Sequence, residues 1–300
     1  MNQVQSDPPL VSAIIPTYNG AAFLASAIDS VLTQSYPAIE CIVVDDGSSD
    51  DTPAIIAAFG SRIRHNRQAN QGPARARNHG AQMAHGELIS FLDDDDVWKP
   101  TKVERQVGKL AERPSAAVVY TAVEVIDAEG APLGIIPAPS RELAFRNTLL
   151  MQWPHLALEQ GALICRTAFT EVGGFDERLS TSDACDLACR LALSYAVEPL
   201  DEPLVSYRQH AHQLHHDLSR LDHDMRLVYR KVLASDARYR PLVRRARYNL
   251  HACLAHWYWQ EQHRPHRALW HATRAGLARP AHAVGRLTTH SQHDLAPLRL

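Results

Sequence analysis

Four consecutive aspartates, Asp93 to Asp96, are the residues whose type and spacing most strongly indicate chemistry in this chain. They follow the apolar, β-prone segment 87–92, which predicts a buried strand that ends in four carboxylates. Neighbouring carboxylates repel one another, so a folded cluster either raises some of their pKa values or recruits a cation. Oxygen ligands favour a hard divalent ion such as Mg²⁺ or Mn²⁺, which usually shares its coordination shell with substrate phosphates. We therefore expect metal–phosphate binding here rather than a solvated acidic turn.

The elements that must position this cluster alternate between strand and helix. The apolar patterns predict strands at 11–16, 40–44, 62–66 and 87–92, separated by helices at 22–33, 52–59 and 74–84. This order calls for a mostly parallel sheet with right-handed crossovers. The first, second and fourth strands deliver polar residues at their carboxyl ends, where open α/β sheets bind ligands. The chain has no GxGxxG or GxxxxGK[ST] motif, so a carboxylate-bound cation would have to hold nucleotide phosphates.

Four segments of the chain, taken together, resemble the family 2 glycosyltransferases of the GT-A fold. They read VSAIIPTYN at 11–19, VVDDGS at 43–48, ARN at 76–78 and FLDDDD at 91–96, in the family's order. The resemblance extends over roughly residues 10 to 215. It implies an α/β, Rossmann-like GT-A fold with a mostly parallel sheet flanked by helices. It also implies a nucleotide-diphospho-sugar donor, with UDP as the commonest nucleotide.

The same resemblance implies which residues form the nucleotide pocket. Pro16, Thr17 and Tyr18 would line this pocket. One carboxylate of the Asp45–Asp46 pair would read the base and ribose, and Asp46 is preferred.

The resemblance also implies which residues bind the diphosphate and its metal. Asp93 and Asp95 match the family's DxD positions and are the expected metal residues. Asp95 would be the direct metal ligand, and Asp93 or Asp94 would reach the ribose or a metal-bound water. Arg77 would support the nucleotide end of the pocket, with a surface helix arginine as the alternative.

A later segment resembles the part of the family that carries the general base. GGFDE at 173–177 precedes Asp183, which falls on the aspartate of the family's Glu-Asp-x-x-Leu motif, although Ser182 replaces the glutamate. An inverting transfer needs one carboxylate to accept the proton of the acceptor hydroxyl, while the metal stabilises the departing diphosphate. The alternative role for Asp183 is to cap the following helix, which Ser182 could do instead. Asp186 lies three residues away on the same helix face and could cap or pair.

A Tyr-Arg-x-His segment, Tyr207 to His210, follows a strand predicted at 203–206 and also resembles the family. Arg208 or His210 could approach the diphosphate from a loop that closes over the donor. A surface-loop role is the alternative for both residues.

The distribution of charge divides the chain into two regions. The net charge is -2, but the chain from Met225 onward has fourteen Arg or Lys against three acidic residues, a net of +11, which leaves -13 for the residues before it. We predict a GT-A catalytic domain over 1–218, with a nucleotide-sugar half at about 10–100 and an acceptor half at about 101–218. A basic α-helical C-terminal region would occupy 219–300. The overall charge does not indicate a nucleic-acid partner.

The C-terminal region is predicted to form two or three amphipathic helices. One apolar stripe contains Ala246, Leu250, Cys253, Leu254 and Trp257, and a second contains Ala268, Leu269, Ala272 and Leu277. Thirteen of the 17 histidines lie at or beyond His210, but His212, His215, His216 and His223 lack a compact metal-binding spacing, so solvent-facing positions are expected. The arginines could contact anionic lipid head groups or a polyprenyl-linked acceptor, or could form a basic face that packs on the acidic half.

Cysteine usage and hydropathy indicate the compartment. The five cysteines are scattered and lack CxxC spacing, as expected for reduced thiols in a cytosolic protein. The N-terminal segment lacks the features of a signal peptide, and no apolar run approaches the roughly 18 residues of a membrane span. We expect a cytoplasmic protein, with peripheral contact at the inner face of a membrane as a further possibility.

These observations lead to one functional hypothesis and two alternatives. The hypothesis is a metal-dependent inverting glycosyltransferase that moves a sugar to a saccharide or lipid-linked acceptor. One alternative is a catalytically weak GT-A-like binding or scaffold module. The other is a phosphatase, since FLDDDDV at 91–97 also fits a DxDx[TV] signature, although that motif normally lies on the first strand.

Overall fold

A computed structural model describes residues 7–152, 154–156, 158, 161–210 and 220–278. The strands are β1 Val11–Thr17, β2 Ile39–Asp45, β3 Arg64–Arg67, β4 Leu88–Phe91, β5 Val97–Trp98, β6 Ala116–Ile126, β7 Pro132–Ile136, β8 Leu163–Cys165 and β9 Ala196–Arg208. The α-helices are α1 Leu24–Leu32, α2 Thr52–Phe59, α3 Pro73–Met83, α4 Lys102–Glu112, α5 Arg141–Leu150, α6 Arg166–Glu171, α7 Asp183–Ser194, α8 Leu221–Ser235, α9 Arg240–Gln260 and α10 Pro265–Ala278. The predicted alternation of strand and helix through β4 is therefore confirmed.

The strands form one sheet in the order β3-β2-β1-β4-β8-β6-β9-β5, and β7 pairs with β6. The first four strands, β1 to β4, are parallel, as predicted. The second half is mixed, because β8 runs antiparallel to both β4 and β6, whereas β6 and β9 are parallel. The parallel pairing opposes Thr17 to Asp45, which brings the carboxyl ends of β1 and β2 to the same edge.

Both faces of the central strands are covered, which explains their continuous apolar sequences. Along β1, Val11, Ala13 and Ile15 belong to one buried cluster together with residues of α1 and α2. Ile14 points to the opposite face, where it packs with residues of α3 and α7. This alternation follows from the two-residue period of a strand.

The C-terminal helices pack on α5 and α7 through a third buried cluster. Leu149 and Cys189, from α5 and α7, join Met225 and Val228 of α8 and Leu250 of α9. The domain boundary predicted between residues 218 and 219 lies outside the described residues. The C-terminal helices nevertheless share a buried core with α5 and α7, which precede that boundary.

The predicted stripes of the C-terminal helices are partly wrong. Ala246, Leu250 and Leu254 are buried on α9, as expected. On α10, however, Leu269 is 69% exposed and Leu277 is 74% exposed. The reason is that α10 packs through a different face, whose buried residues are Ala268, His271 and Ala275.

The histidine prediction is tested at one position only. His223 is exposed, as expected, whereas His212, His215 and His216 lie outside the described residues. No helix of the described chain is both long enough and apolar enough to cross a membrane.

Candidate active site

The four aspartates lie directly after β4, at the carboxyl edge of the parallel strands. The chain leaves the sheet after Leu92, whose N–H donates to the carbonyl of Ile14 at 3.0 Å. A turn follows, in which the N–H of Asp96 donates to the carbonyl of Asp93 at 3.2 Å. Asp96 is fully buried, so it anchors the turn while the three preceding carboxylates stay partly accessible.

The accessible carboxylates crowd one another. Burial, together with the charges of Asp95 and Asp93, raises the pKa of Asp94 to about 7, and the Thr17 hydroxyl opposes this shift by donating to Asp94 Oδ2. Burial and the charge of Asp93 also raise the pKa of Asp95. Gly20 lies against this group, because a Cβ there would collide with Asp94 Oδ2 and Thr17 Oγ1. The cluster therefore has more negative charge than its surroundings neutralise.

Arg77 connects the aspartate cluster to Asp183. It lies on α3, which begins after Gly72, a residue with φ of 91°. Its Nη2 donates to Asp93 Oδ1 at 2.6 Å and its Nη1 donates to Asp183 Oδ2 at 2.9 Å. Arg77 is only 7% exposed, so the alternative of a surface arginine is excluded.

Asp183 is the first residue of α7, and Ser182 occupies the N-cap position. The side chain of Asp183 is buried, with 6% of the residue exposed. Burial raises the pKa of Asp183, and the Asp93 charge raises it further, whereas the Arg77 guanidinium opposes the shift. Asp186, in contrast, pairs with Arg190 at 2.6 Å and with Lys231 at 2.8 Å. Of the two carboxylates, Asp183 is thus the one that faces the aspartate cluster.

Two residues that the sequence did not single out position the segment before Asp183. Asn78 Oδ1 accepts from the N–H of Phe175 at 2.9 Å, and its Nδ2 donates to the Phe175 carbonyl at 2.9 Å. Asp224 Oδ2, on α8, accepts from the N–H groups of Ser180 at 2.9 Å and Thr181 at 2.8 Å. Asn78 belongs to the ARN motif, so its signal was present in the sequence, whereas nothing local indicates the partner of Asp224.

The predicted nucleotide pocket lies at the ends of β1 and β2. Pro16 and Thr17 end β1, and Tyr18 follows with 53% of its surface exposed. The backbone N–H of Asp46 donates to the Thr17 carbonyl at 2.8 Å, which joins the two strand ends.

The two carboxylates after β2 have different partners. Asp46 accepts from Gln68 Nε2 at 2.8 Å and from the N–H groups of Gln71 and Gly72 at 2.9 and 2.8 Å, so it holds the loop before α3. Asp45 Oδ1 accepts from the N–H of Ser48 at 2.8 Å. Asp45 Oδ2 is buried and has no hydrogen bond within the described chain, although Arg67 Nε lies 3.3 Å away.

The end of β9 contacts the aspartate cluster at Asp95 and Asp96, whereas Arg77 contacts it at Asp93. The N–H of Arg208 donates to Asp96 Oδ1 at 2.8 Å and its Nε donates to the Asp95 carbonyl at 2.9 Å. His210 Nε2 lies 2.9 Å from Asp95 Oδ2. Phe23 packs against both, with its ring 4.7 Å from the Arg208 guanidinium and 5.1 Å from the His210 ring. The structure therefore places these two side chains at the site and not on a surface loop.

A divalent cation fits this site as a partner of one or two carboxylates. Within the described residues, no three His, Cys, Asp or Glu side chains converge as a complete protein cage. The crowded carboxylates of Asp93 and Asp95 supply hard oxygen donors, and burial together with the charge of Asp93 raises the pKa of Asp95. Mg²⁺ and Mn²⁺ sites of this kind complete their shells with substrate phosphates and water.

Solved structures share the fold. A crystal structure of TarS 1–349 from S. aureus superposes with a TM-score of 0.69 at 17% identity, and the match covers 92% of this chain and 82% of TarS. TarS has also been solved in complex with UDP and with UDP-GlcNAc. The mannosyltransferase PcManGT from Pyrobaculum calidifontis, solved with GDP-Man and Mn²⁺, gives a TM-score of 0.59 at 21% identity, over 93% of this chain and 78% of its own.

Sequence relatives are also glycosyltransferases. An uncharacterized glycosyltransferase of Rickettsia felis is 36% identical over 211 residues, which is 68% of this chain and 35% of the relative. A teichuronic acid biosynthesis glycosyltransferase designated putative, TuaG of Bacillus subtilis, is 38% identical over 151 residues, 47% of this chain and 59% of TuaG. The chain thus spans between about a third and three fifths of these relatives. The sequence model described as glycosyl transferase family 2 matches residues 12–166, more than half of the chain, and the protein belongs to that family.

Proposed function

We propose that the chain is a divalent-metal-dependent, inverting glycosyltransferase that moves a sugar from a nucleotide-diphospho-sugar to an acceptor hydroxyl. The observation that carries this proposal is the Arg77 bridge between Asp93 and Asp183. It joins a carboxylate of the expected diphosphate site to a buried carboxylate with a raised pKa. A transferase needs such a pair of sites side by side, one for the leaving group and one for the incoming nucleophile.

The donor would lie across the ends of β1, β2 and β4. Pro16, Thr17 and Tyr18 would line the nucleotide pocket, and the Asp45–Asp46 pair would face the base. Asp46 is engaged by the loop before α3, and Asp45 Oδ2, which has an ion pair with Arg67 but no hydrogen bond within the described chain, is a further acceptor near it. TarS was solved with UDP and UDP-GlcNAc, and PcManGT with GDP-Man, which supports a nucleotide sugar and favours UDP or GDP as the first nucleotides to test.

Asp183 would act as the general base. Its raised pKa increases its basicity, and Arg77 opposes the shift and so favours the ionised form that accepts a proton. As the acceptor oxygen forms a bond to the anomeric carbon, its proton passes to Asp183 and the bond from the sugar to the diphosphate breaks. The leaving diphosphate takes the electron pair. One displacement on the face opposite the leaving group inverts the anomeric centre.

Asp93 and Asp95 would hold Mg²⁺ or Mn²⁺, with Asp94 supporting the ribose or a bound water. The ion, when bound, supplies positive charge that stabilises the leaving diphosphate. His210 and Arg208 lie beside the same carboxylates and would orient Asp95. The Mn²⁺ in PcManGT supports this assignment by similarity of fold.

The acceptor proposal is a saccharide or a lipid-linked saccharide. The match to TuaG, which is named as a putative teichuronic acid biosynthesis glycosyltransferase, supports cell-envelope polysaccharide synthesis. We further propose that the basic C-terminal helices touch the cytoplasmic face of a membrane when the acceptor is lipid-linked. Exposed Trp259, Leu269, Trp270 and Leu277 on α9 and α10 would enter the interface.

The test of this function is thermal stabilisation by UDP, GDP, dTDP and ADP, each with Mn²⁺ or with EDTA. A nucleotide that binds the folded state raises the melting temperature by mass action. We expect Mn²⁺-dependent stabilisation by one nucleotide and its loss in Asp95→Ala. If no nucleotide at millimolar concentration shifts the melting temperature, the scaffold alternative replaces this proposal. Membership of the glycosyltransferase family already excludes the phosphatase alternative.

A further inference from the structure

A polar cavity of about 230 Å³ lies among the C-terminal helices. Its walls come from α8, α9 and α10 and include none of the residues assigned above to donor, metal or base. The lining is dominated by arginine and contains Asp222, Arg226, Tyr229, Arg230, Arg247, Leu250, His251 and Arg274.

The charge of this cavity is positive. Arg226 forms a bidentate ion pair with Asp222, which offsets one arginine. Arg230, Arg247 and Arg274 form no ion pair with a carboxylate within the described ranges, although Arg274 packs over the Trp270 ring at 4.1 Å.

The single histidine of the lining adds no charge at neutral pH. Burial lowers the pKa of His251 to about 4, and the charges of His271, Arg274 and Arg226 act in the same direction while that of Asp222 opposes them. Arg230, Arg247 and Arg274 are exposed to solvent, and their three guanidinium groups line one open cavity.

Tyr229 is a further polar residue of this lining. Its side chain is completely buried, and its hydroxyl has no hydrogen-bond partner in the part of the chain that the structure describes. Burial holds the pKa of Tyr229 well above its usual value, so the hydroxyl remains a donor. Buried donors are almost always satisfied in folded proteins, so an acceptor that reached this hydroxyl would gain a hydrogen bond from it.

We propose that this cavity binds a phosphoryl oxyanion, as inorganic phosphate, diphosphate or a phosphate monoester. Guanidinium groups match phosphate oxygens through paired N–H donors, and several arginines around one cavity suit a multiply charged tetrahedral anion. At about 30 Å³ for each water of the liquid, the volume accommodates one or two phosphoryl groups with a few waters. The site is additional to the proposed donor site and does not depend on it.

The test is calorimetric titration of the full chain with sodium pyrophosphate in EDTA. Without a divalent cation, the acidic donor site repels pyrophosphate, so binding reports on the arginine-lined cavity. We expect one pyrophosphate for each chain, with affinity reduced at least about tenfold in Arg230→Gln and in Arg247→Gln, as for a lost charge-assisted hydrogen bond. Tyr229→Phe should weaken binding without lowering the melting temperature, because it removes an unsatisfied hydroxyl.

Arg244→Gln is the matched control. Arg244 lies on α9 one turn before Arg247, but its Nε donates to the Ala278 carbonyl at 3.0 Å and it does not line the cavity. It should bind pyrophosphate as the wild-type chain does. The Mn²⁺-dependent nucleotide shift should also persist in the cavity variants, which separates this proposal from the donor site.

A second arm distinguishes the source of the phosphoryl group. Flotation with phosphatidylcholine vesicles, with and without phosphatidic acid, tests a lipid head group. Binding to phosphatidic acid that is lost in Arg247→Gln, without binding of free pyrophosphate, would assign the site to a membrane phosphate. The proposal would be overturned if Arg230→Gln and Arg247→Gln bound either probe as well as the wild-type chain. It would also be overturned if the wild-type chain bound none of phosphate, pyrophosphate and phosphatidic acid.

Discussion

Replacing Arg77 by glutamine should remove the link between the diphosphate site and the candidate base. The variant loses charge-assisted hydrogen bonds to Asp93 at 2.6 Å and Asp183 at 2.9 Å. Each such bond contributes about 1.5–3 kcal/mol, and breaking a buried pair costs about 3–5 kcal/mol. Loss of one bond to Asp183 corresponds to a decrease of about 10- to 100-fold in its ionised-to-protonated ratio at a given pH.

The pKa of Asp183 determines the direction in which activity and stability should change with pH. The folded pKa of Asp183 is already raised by burial, and Arg77 is the main cause that lowers it. Removal of Arg77 raises this pKa further, so the acidic limb of the kcat/KM profile should move to higher pH. A group with a raised folded pKa stabilises the fold at low pH and loses that contribution as pH rises through the folded pKa. The unfolding free energy of Arg77→Gln should therefore continue to fall up to a higher pH than that of the wild-type chain.

The assay is release of nucleoside diphosphate from the donor sugar between pH 5 and pH 9, alongside urea unfolding. Arg75→Gln is the matched control, because Arg75 lies on the same helix and only its Nε approaches Glu177, at 3.4 Å. Arg77→Lys keeps the charge but cannot bridge two carboxylates in the same fork geometry, so it should fall between wild type and Arg77→Gln. An unchanged pH profile with only a higher KM for the donor would refute this reasoning.

Two further predictions concern the supports of the site. Gly20→Ala should displace Asp94, because the new Cβ would occupy the space of its Oδ2, and nucleotide affinity measured by calorimetry should fall about tenfold or more. Lys231→Gln should loosen the C-terminal helices, because Lys231 Nζ pairs with Asp176 at 2.6 Å and Asp186 at 2.8 Å. We expect it to lower the unfolding free energy in urea by about 1–3 kcal/mol, since it leaves the buried Asp186 with fewer partners.

Each of these variants has a control in the chain. Gly108→Ala places its Cβ in open space on α4, so nucleotide binding should be unchanged. Wild-type nucleotide affinity in Gly20→Ala would show that Asp94 takes no part in the site. Arg238→Gln removes an exposed cation that pairs with Asp236. A destabilisation by Lys231→Gln no larger than that of Arg238→Gln would contradict the stabilising role of the Lys231 ion pairs.

The first four strands could be predicted from the sequence because their signals are local. Apolar β-prone segments, each followed by polar residues, specify parallel strands and the edge where their ends meet, and the structure confirms this for β1, β2 and β4. The position of the aspartate cluster follows from the same pattern, since the residues that end the strand are adjacent to it in sequence.

The contacts that make the site are long-range and could not be predicted in the same way. Arg77 meets a carboxylate 106 positions later, and His210 meets one 115 positions earlier. No local periodicity encodes such pairs, because they depend on how β8 and β9 enter the sheet. The apolar pattern of α10 was misleading for a related reason. The face of α10 that is buried depends on its packing against α9, and it includes His271, which lies 3.1 Å from His251 of α9.

The most direct test of the central claim is to compare Asp183→Asn with the wild-type chain in donor binding and in donor turnover. If Asp183 is the general base, the variant should bind the nucleotide with Mn²⁺ as tightly as the wild-type chain. Its release of nucleoside diphosphate in the presence of acceptor should be slower by about 10²–10⁴-fold, the usual contribution of a positioned base. Turnover at the wild-type rate would contradict the assignment of Asp183 as the base.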